Sequence, residues 1–99
     1  MERVLKILII EDDKYISNFI AVSLKKSEYE VFVSPSAGDG LFMFSSHHPD
    51  IILLDLGLPD QDGLEIIKEL RGFSEIPILV VSARGQERDK IEALDMGAS

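Results

Sequence analysis

Apolar residues fall in four short runs along the chain, at Val4 to Ile10, around Glu30 to Val33, at Ile51 to Leu54 and at Pro77 to Val81. The first, third and fourth are nearly continuous rather than alternating, the pattern of parallel strands covered on both faces. The segments between them are amphipathic. Ile16, Phe19, Ile20 and Leu24 repeat at helical spacing and predict one buried stripe on a first helix. Asp12 or Asp13 can cap that helix, because a short carboxylate accepts from its free N–H groups. A second helix is predicted from Gly38 to Ser46, with Leu41 and Phe44 inward. It is a weak one, since Gly38 and Gly40 each cost roughly 1 kcal/mol relative to Ala, and Phe42 and Met43 fall on its outer side. A third spans Leu64 to Arg71, turns Leu64, Ile67 and Leu70 to the sheet and stops at Gly72. A fourth begins near Gln86 and carries Ile91 and Leu94. Strands alternating with helices, joined by right-handed crossovers, make an open, mostly parallel α/β sheet with helices on both faces.

A length of 99 residues suits one small domain. The longest apolar stretches, such as Ile7-Leu8-Ile9-Ile10, are four residues long, against the ~20 of a membrane helix, and no secretory cleavage pattern follows Met1-Glu2-Arg3. The absence of cysteine excludes disulfides and thiolate metal sites, which suits a cytoplasmic location. The net charge of -8 and the lack of a basic patch argue against direct nucleic-acid binding by this chain. They suit cation binding or a basic partner.

In open parallel sheets, ligands sit beyond the carboxyl ends of the strands. Glu11-Asp12-Asp13 follows the first run, Asp55 the third, and Ser82-Ala83 the fourth. If the first and third strands are neighbours, Asp12, Asp55 and Glu11 share one rim. Crowded carboxylates raise one another's pKa, and a divalent cation relieves the repulsion; an all-oxygen donor set suits Mg²⁺. Each signal has a plainer reading. The acidic triplet can be only a helix cap, Asp55 a turn residue, and Ser82 the cap of the fourth helix. Their joint placement at three strand ends favours a site. Pro59 fixes φ and Gly63 can take positive φ, so the segment from Asp55 to Gly63 is a stiff loop presenting Asp55. His47 and His48, before Pro49, are read as solvated surface rather than metal ligands.

The segments Ile7 to Asp13, Pro49 to Asp55, the loop to Gly63, Ile76 to Arg84 and Ala93 to Ala98 resemble the receiver domain of two-component response regulators. Asp55-Leu56-Gly57-Leu58-Pro59 and Val81-Ser82-Ala83-Arg84 are most similar to the OmpR/PhoB class and its KdpE-like members. The resemblance spans residues 1–99 as one receiver domain. It implies a flavodoxin-like (CheY-like) sheet, with the second strand beside the first, then the third and fourth. It also implies a sensor histidine kinase as partner and phosphoryl donor, with Asp55 as acceptor. Mg²⁺ (or Mn²⁺) would be held by Glu11, Asp12, Asp55 and the backbone carbonyl of Gly57, and Ser82 would contact the phosphoryl group. Asp13 is kept outside the metal site.

The family's fifth strand, its lysine followed by proline, and its fifth helix would lie beyond Ser99, as would any DNA-binding output domain. Weakened switching and self-association are therefore expected of this chain. An interaction module without phospho-switching is the alternative reading. A Mg²⁺-dependent phosphohydrolase is disfavoured, since Gly57 stands where that class places a second aspartate.

Overall fold

The computed structural model describes residues 4–81. Four strands and three helices alternate among them: β1 (Lys6–Ile10), α1 (Lys14–Lys26), β2 (Glu30–Ser34), α2 (Ala37–His47), β3 (Ile51–Leu54), α3 (Gly63–Arg71) and β4 (Ile78–Val80). The sheet is parallel throughout, in the order β2-β1-β3-β4. β1 is therefore flanked by β2 and β3, the arrangement on which a shared carboxylate rim depends. The predicted fourth helix and Ser82 lie outside the described residues.

β1 shows why its run is continuously apolar. Ile7 and Ile9 pack with Leu53 against Ala21, Ile20 and Leu24 of α1. Leu8 and Ile10 point the other way and join Ile52, Leu54, Ile66, Ile67 and Leu70 beneath α2 and α3. Successive side chains of a strand face opposite sides, so a strand covered on both faces leaves no position for a polar residue. At the amino end of the sheet, the Lys6 N–H donates to Asp50 Oδ2 and the Asp50 N–H donates back to the Lys6 carbonyl, both at 2.8 Å. This clip fixes the β1–β3 register.

Several sequence expectations are corrected, Met43 on the inner rather than the outer side of α2 among them. Val4 and Leu5 are exposed and precede the strand. Phe19 is 75% exposed; Ile20 and Leu24 of the predicted stripe do pack on the sheet, but the most deeply buried positions of α1 are the small residues Ser17 and Ala21. Gly63 has no positive φ. Its role is close approach, since a Cβ there would lie 2.6 Å from the Leu56 Cα and 2.9 Å from the Asp55 carbonyl oxygen. His47 also departs from a solvated surface. It ends α2 half-buried, its ring stacked on Phe32 with centroids 4.3 Å apart. Leu41, Met43 and Phe44 pack on the core while Phe42 stays exposed. Gly72 caps α3 as expected.

Candidate functional site

The site grows from the ladder between β1 and β3. Beyond the last paired residues, the Asp55 N–H donates to the Ile10 carbonyl at 2.9 Å, and the Glu11 N–H donates to the Ser34 carbonyl at 2.9 Å. The backbone ladders thus carry both acids to the carboxyl rim as direct continuations of their strands. Glu11 and Asp55 are buried, at 2% and 0% exposure, and Asp12 is half-buried beside them. One carboxylate oxygen from each of Glu11, Asp12 and Asp55 lies within 4.8 Å of the other two. This is the arrangement read from the sequence.

Asp13 takes the separate role foreseen for it. Its Oδ1 accepts from the Tyr15 and Ile16 N–H groups at 2.9 and 3.2 Å, capping α1. Its own N–H donates to Glu11 Oε2 at 3.3 Å, so the helix cap and the acid cluster are linked through one residue. Gly57 stands exposed on the rim and donates its N–H to Asp55 Oδ1 at 3.1 Å, which orients the Asp55 carboxylate. The Gly63 N–H returns to the Leu56 carbonyl at 3.0 Å, closing the loop. Asp62 caps α3 through the Leu64 N–H at 2.9 Å. An aspartate just before an apolar helical run is a readable cap signal that singling out Gly63 overlooked. Asp60 was also missed. Its two oxygens accept from Ala37 and Gly38 at the start of α2, residues too distant in sequence for spacing to reveal.

Burial is the main cause that pushes the Glu11 carboxyl up to about 7; a hydrogen bond with the Asp55 carboxyl adds to it, and the Asp13 N–H opposes it. A cluster of this kind holds a proton near neutrality that a divalent cation can displace. The donors are oxygens only, two of the three acids are buried, and their ligand atoms lie close together. The residues therefore fit a hard cation such as Mg²⁺ or Mn²⁺, which takes one or two carboxylates and completes its shell with carbonyls and water.

A parallel β2-β1-β3-β4 sheet with helices on both faces and an acid triad at the ends of β1 and β3 defines a receiver domain of the CheY-like fold. The family model described as the response regulator receiver domain matches residues 7–99, and the chain belongs to this family. Such domains are signalling domains of two-component systems rather than classical enzymes.

Within the family the chain is homologous to KdpE, of the OmpR/PhoB class. It is 46% identical over 92 residues to the KDP operon transcriptional regulatory protein KdpE of Escherichia coli K12, covering 93% of this chain and 41% of that protein. The chain thus spans less than half the length of this relative. The BeF3-activated receiver domain of Klebsiella pneumoniae RstA superposes with a TM-score of 0.89 at 34% identity, over 95% of this chain and 80% of that one. The Mn(2+)-bound form of the response regulator Rcp1 matches at 0.85 and 26%, over 96% and 77%.

Proposed function

We propose that this chain is the phosphoacceptor module of a KdpE-like response regulator, taking a phosphoryl group onto Asp55 from the phosphohistidine of a sensor histidine kinase. One observation carries the reading: Asp55 directly follows β3, fully buried, with its carboxylate gathered against those of Glu11 and Asp12. An Asp55 oxygen would attack phosphorus in line, the P–N bond to the histidine would break, and an acyl phosphate would form. Phosphoryl transfer depends on positioning and charge neutralisation more than on covalent assistance.

Glu11, Asp12, Asp55 and the Gly57 carbonyl would hold Mg²⁺ or Mn²⁺. When bound, the ion offsets repulsion between the incoming phosphoryl group and the acids. The Gly57 N–H fixes the rotation of the nucleophilic carboxylate, and burial keeps bulk water away from it. The Ser82 hydroxyl would donate to a phosphoryl oxygen. In the full-length protein, the output would pass to a DNA-binding domain and transcription. Support comes from the family match, from the likeness to KdpE, named a transcriptional regulator, and from a Mn²⁺-bound structure of the same fold.

Incubating the chain with acetyl phosphate and Mg²⁺ is expected to add one phosphoryl group, detected by intact mass. Asp55→Asn removes the nucleophile and is expected to abolish the adduct, while Asp13→Asn retains it. An equal adduct on Asp55→Asn would overturn the assignment. Removing the metal with a chelator is expected to slow the wild-type reaction by about tenfold or more.

A further inference from the structure

The loop from β3 to α3 is held at intervals. Asp55 is fixed at its base by the ladder, and Leu56 and Leu58 are buried in the core at 6% and 9% exposure. Gly63 and the Asp62 cap fix its far end. Between Leu58 and Asp62 the chain runs across the rim. There Asp60 reaches a different element. Its Oδ1 accepts from the Ala37 N–H at 2.8 Å, and its Oδ2 accepts from the Gly38 N–H at 3.0 Å.

These are the first two N–H groups of α2, which no carbonyl of the helix itself can satisfy. The local cap, Ser36, serves the next: its Oγ accepts from the Asp39 N–H at 3.3 Å, and its carbonyl accepts from the Gly40 N–H at 2.9 Å. The amino end of α2 is therefore capped jointly, by its own serine and by an anion brought from the loop that carries Asp55. The two N–H bonds hold the Asp60 carboxyl below its ordinary range, Gly38 first and Ala37 second, and the positive end of the helix favours the anion.

Asp60 satisfies the two N–H groups that Ser36 leaves, and because it comes from another element, it also acts on the loop that carries it. A single hydrogen bond leaves a carboxylate free to swivel. Two, one per oxygen, fix its plane relative to the helix axis. Through Pro59, whose φ is locked, this constrains the segment back to Leu58 and Gly57. α2 is itself firmly seated, since Gly40 packs where a Cβ would come within 2.6 Å of the buried Ile10 side chain. The tether thus runs from β1, through α2 and Asp60, to the loop beside the acid cluster.

We propose that Asp60 is a positioning residue that couples the Asp55–Gly63 loop to the first turn of α2, holding Gly57 in place for the cation and making α2 respond when the site is occupied. The inference rests on the phosphoacceptor reading above. Because coupling is reciprocal, occupation of the site stiffens the Asp60 tether, and loss of the tether weakens occupation.

The test compares wild type, Asp60→Ala, Asp60→Asn and Ser36→Ala. Ser36→Ala weakens the same helix end without touching the loop, and so reports a merely structural role. Calorimetric titration with Mg²⁺ is expected to give an affinity for Asp60→Ala lower by about tenfold, the small end of the range for residues that orient metal ligands. Asp60→Asn keeps one acceptor oxygen and is expected to fall between. Ser36→Ala is expected to lower the melting temperature with unchanged Mg²⁺ affinity.

Amide exchange by NMR supplies the second readout. Mg²⁺ is expected to increase protection of the Ala37 and Gly38 amides in wild type but not in Asp60→Ala. Equal Mg²⁺ affinities in Asp60→Ala and wild type, or the same profile in Asp60→Ala and Ser36→Ala, would overturn the coupling. If wild type binds no Mg²⁺, the phosphoacceptor reading fails instead. The tether is then judged by exchange at Gly57 and Asp62 alone: faster exchange in Asp60→Ala but not in Ser36→Ala upholds it, and unchanged exchange rejects it.

Discussion

Glu11 is the residue at which fold stability and site chemistry meet. Burial beside Asp55 raises its carboxyl to about 7 from an ordinary value of 4.5. Between these values the native state keeps a proton that the unfolded chain has released. The native state then binds more protons, so stability falls as pH rises through this window. The full span is on the order of 3 kcal/mol. A divalent cation bound there would replace the proton, so its stabilising effect would grow in the same direction. Thermal melts followed by circular dichroism are expected to show a larger Mg²⁺-induced rise at about pH 8 than at about pH 5. Without metal, Glu11→Gln is expected to flatten the decline between them; an unchanged profile would assign the effect elsewhere. The candidacy of Glu11, Asp12 and Asp55 was legible from their places after apolar runs, because a parallel sheet puts every strand's carboxyl end on one rim. Crowding was legible as a cause of raised carboxyls; that burial is the larger cause at Glu11 was not, since burial is set by packing.

Among the elements, α2 best shows how identical residues can serve different ends. Gly38 and Gly40 look equally unfavourable in a helix. A Cβ on Gly38 would meet only Asp60 Oδ2, at 3.6 Å, an ordinary contact. A Cβ on Gly40 would lie 2.6 Å from Ile10 Cδ1 and 2.9 Å from its Cγ1, and Ile10 is too enclosed to swing aside. Gly38→Ala is therefore expected to stabilise by roughly 0.5–1 kcal/mol, and Gly40→Ala to destabilise by roughly 1–3 kcal/mol. Urea midpoints of the two variants are expected to move in opposite directions from wild type; movement in the same direction would count against this packing. The α1 stripe carries the same lesson. Its spacing marked Phe19 for burial alongside Ile20 and Leu24; the latter two pack on the sheet, but Phe19 stays exposed and Ser17 and Ala21 take the deepest positions. Periodicity identifies a helix and its amphipathic character, but the width of the contact depends on the partner surface.

At the scale of the whole described fold, residues 4–81, the two faces of the sheet are covered unequally. α2 and α3 bury one face with Ile66, Ile67 and Leu70 fully enclosed, while α1 leaves Tyr15, Phe19 and Val22 exposed at 89%, 75% and 53%. These three lie within two turns of one helix and form an apolar stripe of the kind that seeks a partner. We expect the 99-residue chain to self-associate at high concentration, and Phe19→Ser to reduce association while changing stability by no more than roughly 0.5 kcal/mol. Light scattering showing a monodisperse wild-type monomer would sink this. No helix among the described residues is long and apolar enough to cross a membrane. The sequence by itself determined the alternation of strands and helices, the parallel sheet and the acids at its rim. Those follow from local hydrophobic periodicity and from the polarity of strands, which need no knowledge of partners. Only the tertiary structure decided which glycine is indispensable, that Phe19 falls outside the buried face of α1, and that Asp60 caps a helix 22 residues earlier in the chain. Those depend on close approach between segments far apart in sequence, a quantity set by packing and invisible to spacing.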